Sequence, residues 1–171
     1  VKHVYGTMWS GSKRGPLEAL PEVEARRRFD GLVPEPDHWF SVGVKRDEAG
    51  DLAAPEFILE ILPHAKYVKV IFVDQHHTQR FAYGFKNMEG RMFMTHVTEN
   101  RYPDDERFHP LNETVWTSSM LIKPTGYVRE TVYDLVAKER HLSEYRDVDV
   151  SPNWEDVPEF GDWERFGKFD R

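Results

Sequence analysis

The chain has 171 residues, 39% of them hydrophobic, with 23 basic against 30 acidic side chains for a formal net charge of -7. That is enough for one substantial core and short for two, and the acidic balance opposes a general binder of phosphate backbones, so nucleic acid is not an expected partner. The absence of cysteine excludes disulfides and thiolate metal sites, and no apolar run approaches the roughly twenty residues needed to span a bilayer; a soluble protein of the cell interior or an organelle lumen is expected.

Residues 1–12 alternate weakly through Val4, Tyr5, Met8 and Trp9 and suggest a strand at a sheet edge. After Gly15 and Pro16 the composition turns helical, with Glu22 four residues before Arg26 and Glu24 four before Arg28, the favourable order for such pairs. A helix is expected over Glu22–Phe29, lying on the domain through a narrow stripe of Leu20, Val23 and Phe29. The run Arg26, Arg27, Arg28 could hold an anion, although a charged run among acidic neighbours is ordinarily a solvated face.

From Asp37 the pattern changes to period two and keeps it for most of the remaining chain. Three four-residue stretches ending in glycine punctuate it: Asp47-Glu48-Ala49-Gly50, Asn87-Met88-Glu89-Gly90 and Lys123-Pro124-Thr125-Gly126. Each fits a type I turn closed by a left-handed glycine. For the central hairpin this sets Phe85 opposite Phe93, Tyr83 opposite Thr95 and Phe81 opposite Val97, all on one face. Strands are expected at 38–46, 56–62, 66–74, 78–86, 91–100, 114–122, 127–135 and within 138–150. Their short connections make them sequential antiparallel neighbours, apart from a charged loop at 101–113 long enough to be a lid or a contact surface. The fold class is therefore mainly β, at the margin α+β. It is an up-and-down meander of about eight strands forming a small barrel or a strongly curved sheet, over a single domain at 1–150.

Residues 151–171 form an extended arm in which Phe160, Trp163, Phe166 and Phe169 recur every three residues among Asp, Glu, Gly and Pro. With Trp154 they are the candidates for contact with another protein, the alternative being that they cover their own domain. Val157-Pro158-Glu159-Phe160-Gly161-Asp162-Trp163 resembles the Pro-x-Phe-Gly-x-Trp core of plant NOI-domain proteins over seven residues. The following Glu164-Arg165-Phe166 departs from that family, and no function is carried over.

No constellation for chemistry stands out. His76 and His77 are adjacent and should diverge on an extended chain, and the other histidines show no ligand spacing, so neither a metal nor a cofactor is expected. Lys123-Pro124-Thr125-Gly126-Tyr127-Val128-Arg129 resembles the Pro-x-Gly-x-x-His piece of cupins, with Arg129 where that family has its metal-binding histidine. Nucleophile elbows and phosphate-binding glycine loops are missing. If the chain is an enzyme, metal-independent acid/base chemistry of a lyase or isomerase is what remains, with Tyr83, His96, Arg129 and Glu130 as candidates. By register one of Arg129 and Glu130 should face inward.

Two functions are compatible with these residues. The favoured one is a non-catalytic, acidic protein-binding role, as an inhibitor of immunity type or an accessory subunit, using the aromatic arm. The other is binding or transformation of a small hydrophobic or aromatic ligand lined by Phe81, Tyr83, Phe85 and Phe93. By architecture such a barrel resembles the calycins, which carry lipids and pigments and in some branches act as lyases or isomerases.

Overall fold

The computed structural model describes residues 1–171. In chain order it contains β1 (Lys2–Gly6), a miniature hairpin of β2 (Trp9–Ser10) and β3 (Gly15–Pro16), and the helix α1 (Glu22–Phe29). Then follow β4 (Phe40–Lys45), β5 (Phe57–Ile61), β6 (Tyr67–Val73), β7 (Gln79–Met88), β8 (Arg91–Arg101), β9 (Trp116–Ile122), β10 (Val128–Asp134), β11 (Glu139–Tyr145) and the short β12 (Trp154–Asp156). β1 pairs with β4, and from β4 to β11 every strand pairs antiparallel with the next; β12 adds to β8 beyond the end of β9. The sheet is an open, curved meander with β1 and β11 at its edges rather than a closed barrel. No helix is long and apolar enough to cross a membrane.

The central hairpin forms, but in a register different from the expected one. Strand β7 runs on to Met88, so the turn is the two-residue Glu89-Gly90, both at positive φ (53° and 85°). This is the geometry whose twist matches that of the flanking strands. Lys86 therefore faces Phe93, and a bulge at Thr95 shifts the remainder so that Phe85 faces Met94, Tyr83 faces Val97 and Phe81 faces Glu99. Phe81, Tyr83, Phe85 and Val97 share a face as expected, while Phe93 turns to the opposite side and packs on Trp154 at 4.7 Å. The three-residue type expected at all three glycine turns is found at Lys123–Gly126, where Gly126 N–H donates to Lys123 O at 3.0 Å and Lys123 N–H to Tyr127 O at 2.9 Å. The connection after β4 is a longer loop in which Gly50 is not left-handed.

Alternation along each strand builds one apolar inner face: Phe40, Val42 and Val44 on β4, Phe57, Leu59 and Ile61 on β5, Val68 and Val70 on β6, Tyr83 and Phe85 on β7. A single sheet cannot bury that face by itself. Residues 157–169 cover it. Their aromatics are three apart, and the backbone makes bonds from Asp162 N–H to Glu159 O and from Phe166 N–H to Trp163 O, the three-residue spacing of a 3₁₀ turn. That spacing sets Trp163 and Phe166 in one row; the backbone departs from it at Gly161 (φ 96°) and at Lys168 (extended), and Phe160 and Phe169 reach the sheet from those flanking stretches. Phe160 stacks on Tyr5 (5.5 Å), Trp163 meets Phe40 (6.2 Å), Phe166 meets Phe85 edge-on (5.1 Å) and Phe169 meets Phe81 (4.8 Å). A Cβ on Gly167 would lie 2.1 Å from a Phe57 ring carbon, so glycine is what lets the arm press this close.

Helix α1 closes one end of this core through Ala25 and Phe29, the latter 5.8 Å from both Phe160 and Trp163. Val23, expected on the buried stripe, faces solvent. The arginine run is divided among three tasks: Arg26 lies over the Phe160 ring at 4.3 Å, Arg27 pairs with Glu24 at 3.0 Å, and Arg28 donates to Trp39 O at 2.9 Å. Trp163 is wholly buried, so Trp163→Ala should lower unfolding free energy by about 3–5 kcal/mol. Phe169, 46% exposed, should cost about 1 kcal/mol when truncated. Equal losses in denaturant melts would contradict this placement of the arm.

Candidate functional site

The arm covers the inner face from β1 to β7 and stops there. Its last aromatic, Phe169, is fixed where Tyr83 OH donates to Phe169 O at 2.7 Å. Beyond it the inner face of β8, β9 and β10, where Met94, Ile122 and Val128 are still buried, has only the segment after β11 in front of it and forms one wall of a partly open cavity of about 490 Å³. The strands contribute Met94, Val97, Met120, Ile122, Val128 and Glu130; the crossing segment after β11 contributes Val148, Asp149, Val150 and Asn153, and Tyr145 and Arg171 complete the rim. Asn153 is tied down by donating to Met94 O at 3.3 Å.

Glu130 is the distinctive group on this wall. It is flanked along β10 by Val128 and Val132 and faces Met120 across the ladder. Its only hydrogen bond within the chain is from Ser118 Oγ to Oε2, at 3.0 Å. A half-buried carboxylate with one short partner keeps free lone pairs for a donor brought by a ligand. Tyr83 reaches the same cavity from β7; burial pushes its phenol up, against a smaller opposite pull from Arg171, so it stays protonated. The Arg171 guanidinium is occupied: it lies over Phe85 at 4.9 Å, donates to Glu155 Oε1 at 3.0 Å and to Arg165 O at 3.0 Å.

The four acid/base candidates divide between the two faces. Tyr83 and Glu130 come together at the cavity. His96 and Arg129 lie in one row on the opposite face, both beside Leu121, because strand neighbours alternate. Burial, and to a smaller extent Lys86, holds the His96 ring below its ordinary range, with Nδ1 2.8 Å from Thr95 Oγ1. Of the expected ligand-lining aromatics only Tyr83 reaches the cavity; Phe81 and Phe85 lie beneath the arm, and Phe93 is on the far side. The arm residues Trp154, Phe160, Trp163, Phe166 and Phe169 pack on their own sheet. No group of three or more His, Asp or Glu side chains is placed to share a metal ion.

Residues that sequence reasoning passed over are Met94, Val97, Met120 and Ser118. Their signal was the two-residue alternation of β8 and β9, which the mistaken turn hid for Met94. Comparison with protein-family models, curated proteins and solved structures finds no match, and the site stands on its geometry alone.

The charged loop after β8 is organised around one histidine. His109 is fully buried, stacked on Tyr102 at 5.5 Å, with Nδ1 2.6 Å from Glu113 Oε2 and Nε2 2.9 Å from Asp104 Oδ1. Two carboxylates on two ring nitrogens require both to carry protons, and they raise the His109 pKa, Asp104 first and Glu113 second. The same bonds lower the pKa of Asp104 and of Glu113. A raised histidine stabilises fully below its unfolded value of about 6.5, and that stabilisation is lost as pH rises through its folded value. The lowered carboxylates stabilise above their unfolded values near 4 and lose this as pH falls through their folded ones. Loop protection should therefore be greatest at mildly acidic pH and decline on the alkaline side. Limited proteolysis of residues 102–114 across pH should show this slope, and His109→Asn should flatten it.

Proposed function

We propose that this protein binds a small amphipathic ligand in the inner-face cavity, its apolar body against Met94, Val97, Met120, Ile122 and Val128 and a hydrogen-bond donor on Glu130. The observation that carries this reading is the coincidence of a 490 Å³ cavity with an inward carboxylate on an otherwise apolar wall. Ligand sites are typically concave, largely apolar and furnished with a few oriented polar groups. The volume suits a molecule of drug size or smaller. A donor on the ligand would use the lone pairs that Ser118 leaves free.

Acid/base chemistry on the ligand is compatible with Glu130 as the base, since it alone of the four candidates is a carboxyl group directed at the cavity. Tyr83 acts as a positioning group, its proton held by Phe169 O. The protein-binding role has less support, because its main instrument, the aromatic arm, is buried on its own sheet.

Native mass spectrometry of protein taken gently from its source should retain a mass of a few hundred daltons, as sites of this volume do. Val97→Trp, which fills the cavity, should abolish retention while leaving the fold intact by circular dichroism. Glu130→Gln should weaken retention about tenfold or more, the usual cost of losing a charge-assisted bond. Retention undiminished in both variants would sink the assignment of the site.

A further inference from the structure

Strand β11 is an unoccupied sheet edge. It pairs only with β10, and six of its seven residues, Glu139-Arg140-His141-Leu142-Ser143-Glu144-Tyr145, are exposed; only Ser143 is not. Such an edge offers a row of unpaired backbone groups to another strand. Its charges would usually be read as guards against pairing. Here their order is self-complementary.

In an antiparallel pair, residues opposite one another share a face, so two copies related by a two-fold axis must pair positions of the same parity. Centring the axis on Leu142 sets Leu142 opposite itself, Arg140 opposite Glu144 of the second copy, and Glu144 opposite its Arg140. Moving the centre to His141 sets Arg140 opposite Leu142, and moving it to Ser143 sets Arg140 opposite Arg146. Only the first choice pairs opposite charges within the strand itself; the His141 centre would bring Glu144 to Lys138, which lies before the strand at positive φ (55°). The next strand supports it: Arg129 is beside Glu144 and Tyr133 beside Arg140 in the β10 ladder, so each row across the joint reads Arg129, Glu144, Arg140, Tyr133 with alternating charge. Arg140 has no carboxylate partner in its own chain, whereas Glu144 accepts only from Tyr127 OH at 3.0 Å. Leu142, 53% exposed, and Tyr133, 39% exposed, provide the apolar part of the same face.

We infer that two copies of this chain join edge to edge through β11, centred on Leu142, into one continuous sheet. The same register sets Glu139 of the second copy opposite Tyr145, which stands on the rim of the inner cavity. Each copy thus contributes an acidic side chain to the mouth of the other's cavity. This inference does not depend on what the cavity holds.

Sedimentation velocity over a wide concentration range should show a reversible monomer–dimer equilibrium. Arg140→Glu or Glu144→Arg alone sets like charges opposite twice and should raise the dissociation constant about tenfold or more. The double exchange, Arg140→Glu with Glu144→Arg, restores both pairs and should return it to near the original value. Leu142→Cys should form a disulfide with its own copy under mild oxidation, as opposed strand positions lie within disulfide reach. At concentrations where the chain is monomeric these surface changes should leave thermal stability nearly unaltered, which separates them from misfolding. A monomer at every concentration, or a dimer indifferent to the single charge changes, would overturn the inference.

Discussion

The packing of Trp163 and Phe166 against the inner face of β4, β5 and β7 is the interaction on which the rest of the molecule depends. A one-layer antiparallel sheet leaves one apolar face bare unless a second layer covers it. Closing the sheet into a barrel would achieve this with strands alone, and nine strands in series are enough to do so. The chain instead uses an irregular arm with four aromatics three residues apart and one 3₁₀ turn between Trp163 and Phe166, and the helix α1 at one end. Once the arm occupies the inner face, β1 and β11 no longer need to meet. The openness of the sheet and the placement of the arm are one fact.

The arm also decides where a site can be. Its aromatics end at Phe169, held by Tyr83, while the sheet continues through three more strands. Those strands keep inward side chains of core type, Met120, Ile122 and Val128, with only the crossing segment at 146–153 in front of them. The cavity is thus the unfilled remainder of a core. Glu130 sits where a further apolar residue would have completed it, and Ser118 satisfies just one of its oxygens.

Much of this architecture is legible in the residues. Period-two alternation from Asp37 onward locates the strands closely, and the acidic-to-basic order of α1 locates the helix, because both signals are local. What fails is what depends on turns and on partners. Reading Asn87-Met88-Glu89-Gly90 as a three-residue turn misplaces Phe93, since Glu89 accepts a left-handed conformation that glycine alone was expected to take. In α1, Val23 is the more apolar residue, yet Ala25 is buried, because the stripe that meets the core runs through Ala25 and Phe29, four residues apart, and Val23 lies off it. Arg26 is drawn out of the solvated run by the Phe160 ring, a contact between residues far apart in sequence. The three-residue aromatic period of the arm was visible from the start; its meaning required knowing that the sheet stays open. The site was half legible for the same reason: alternation separates Glu130 from Arg129, but only the position of the arm shows which inward stretch is left uncovered.

The last three strands are where the molecule is least supported and most specific. β9, β10 and β11 have a sheet neighbour on each side only as far as β10, no arm above them, and a run of exposed side chains on β11. Segments with few buried contacts open at low free-energy cost, and binding sites are commonly drawn from that end of the range. A molecule lying against Met120, Ile122 and Val128 would supply the layer that the arm does not reach, and a strand added to β11 would supply the neighbour it lacks. Both would stabilise the same region from different sides, one from the face and one from the edge. Anything binding only the ordered form of these strands adds to their stability by mass action, so occupation of the cavity and pairing of the edge should reinforce each other through β10, which carries Glu130 toward the cavity and Arg129 and Tyr133 toward the joint.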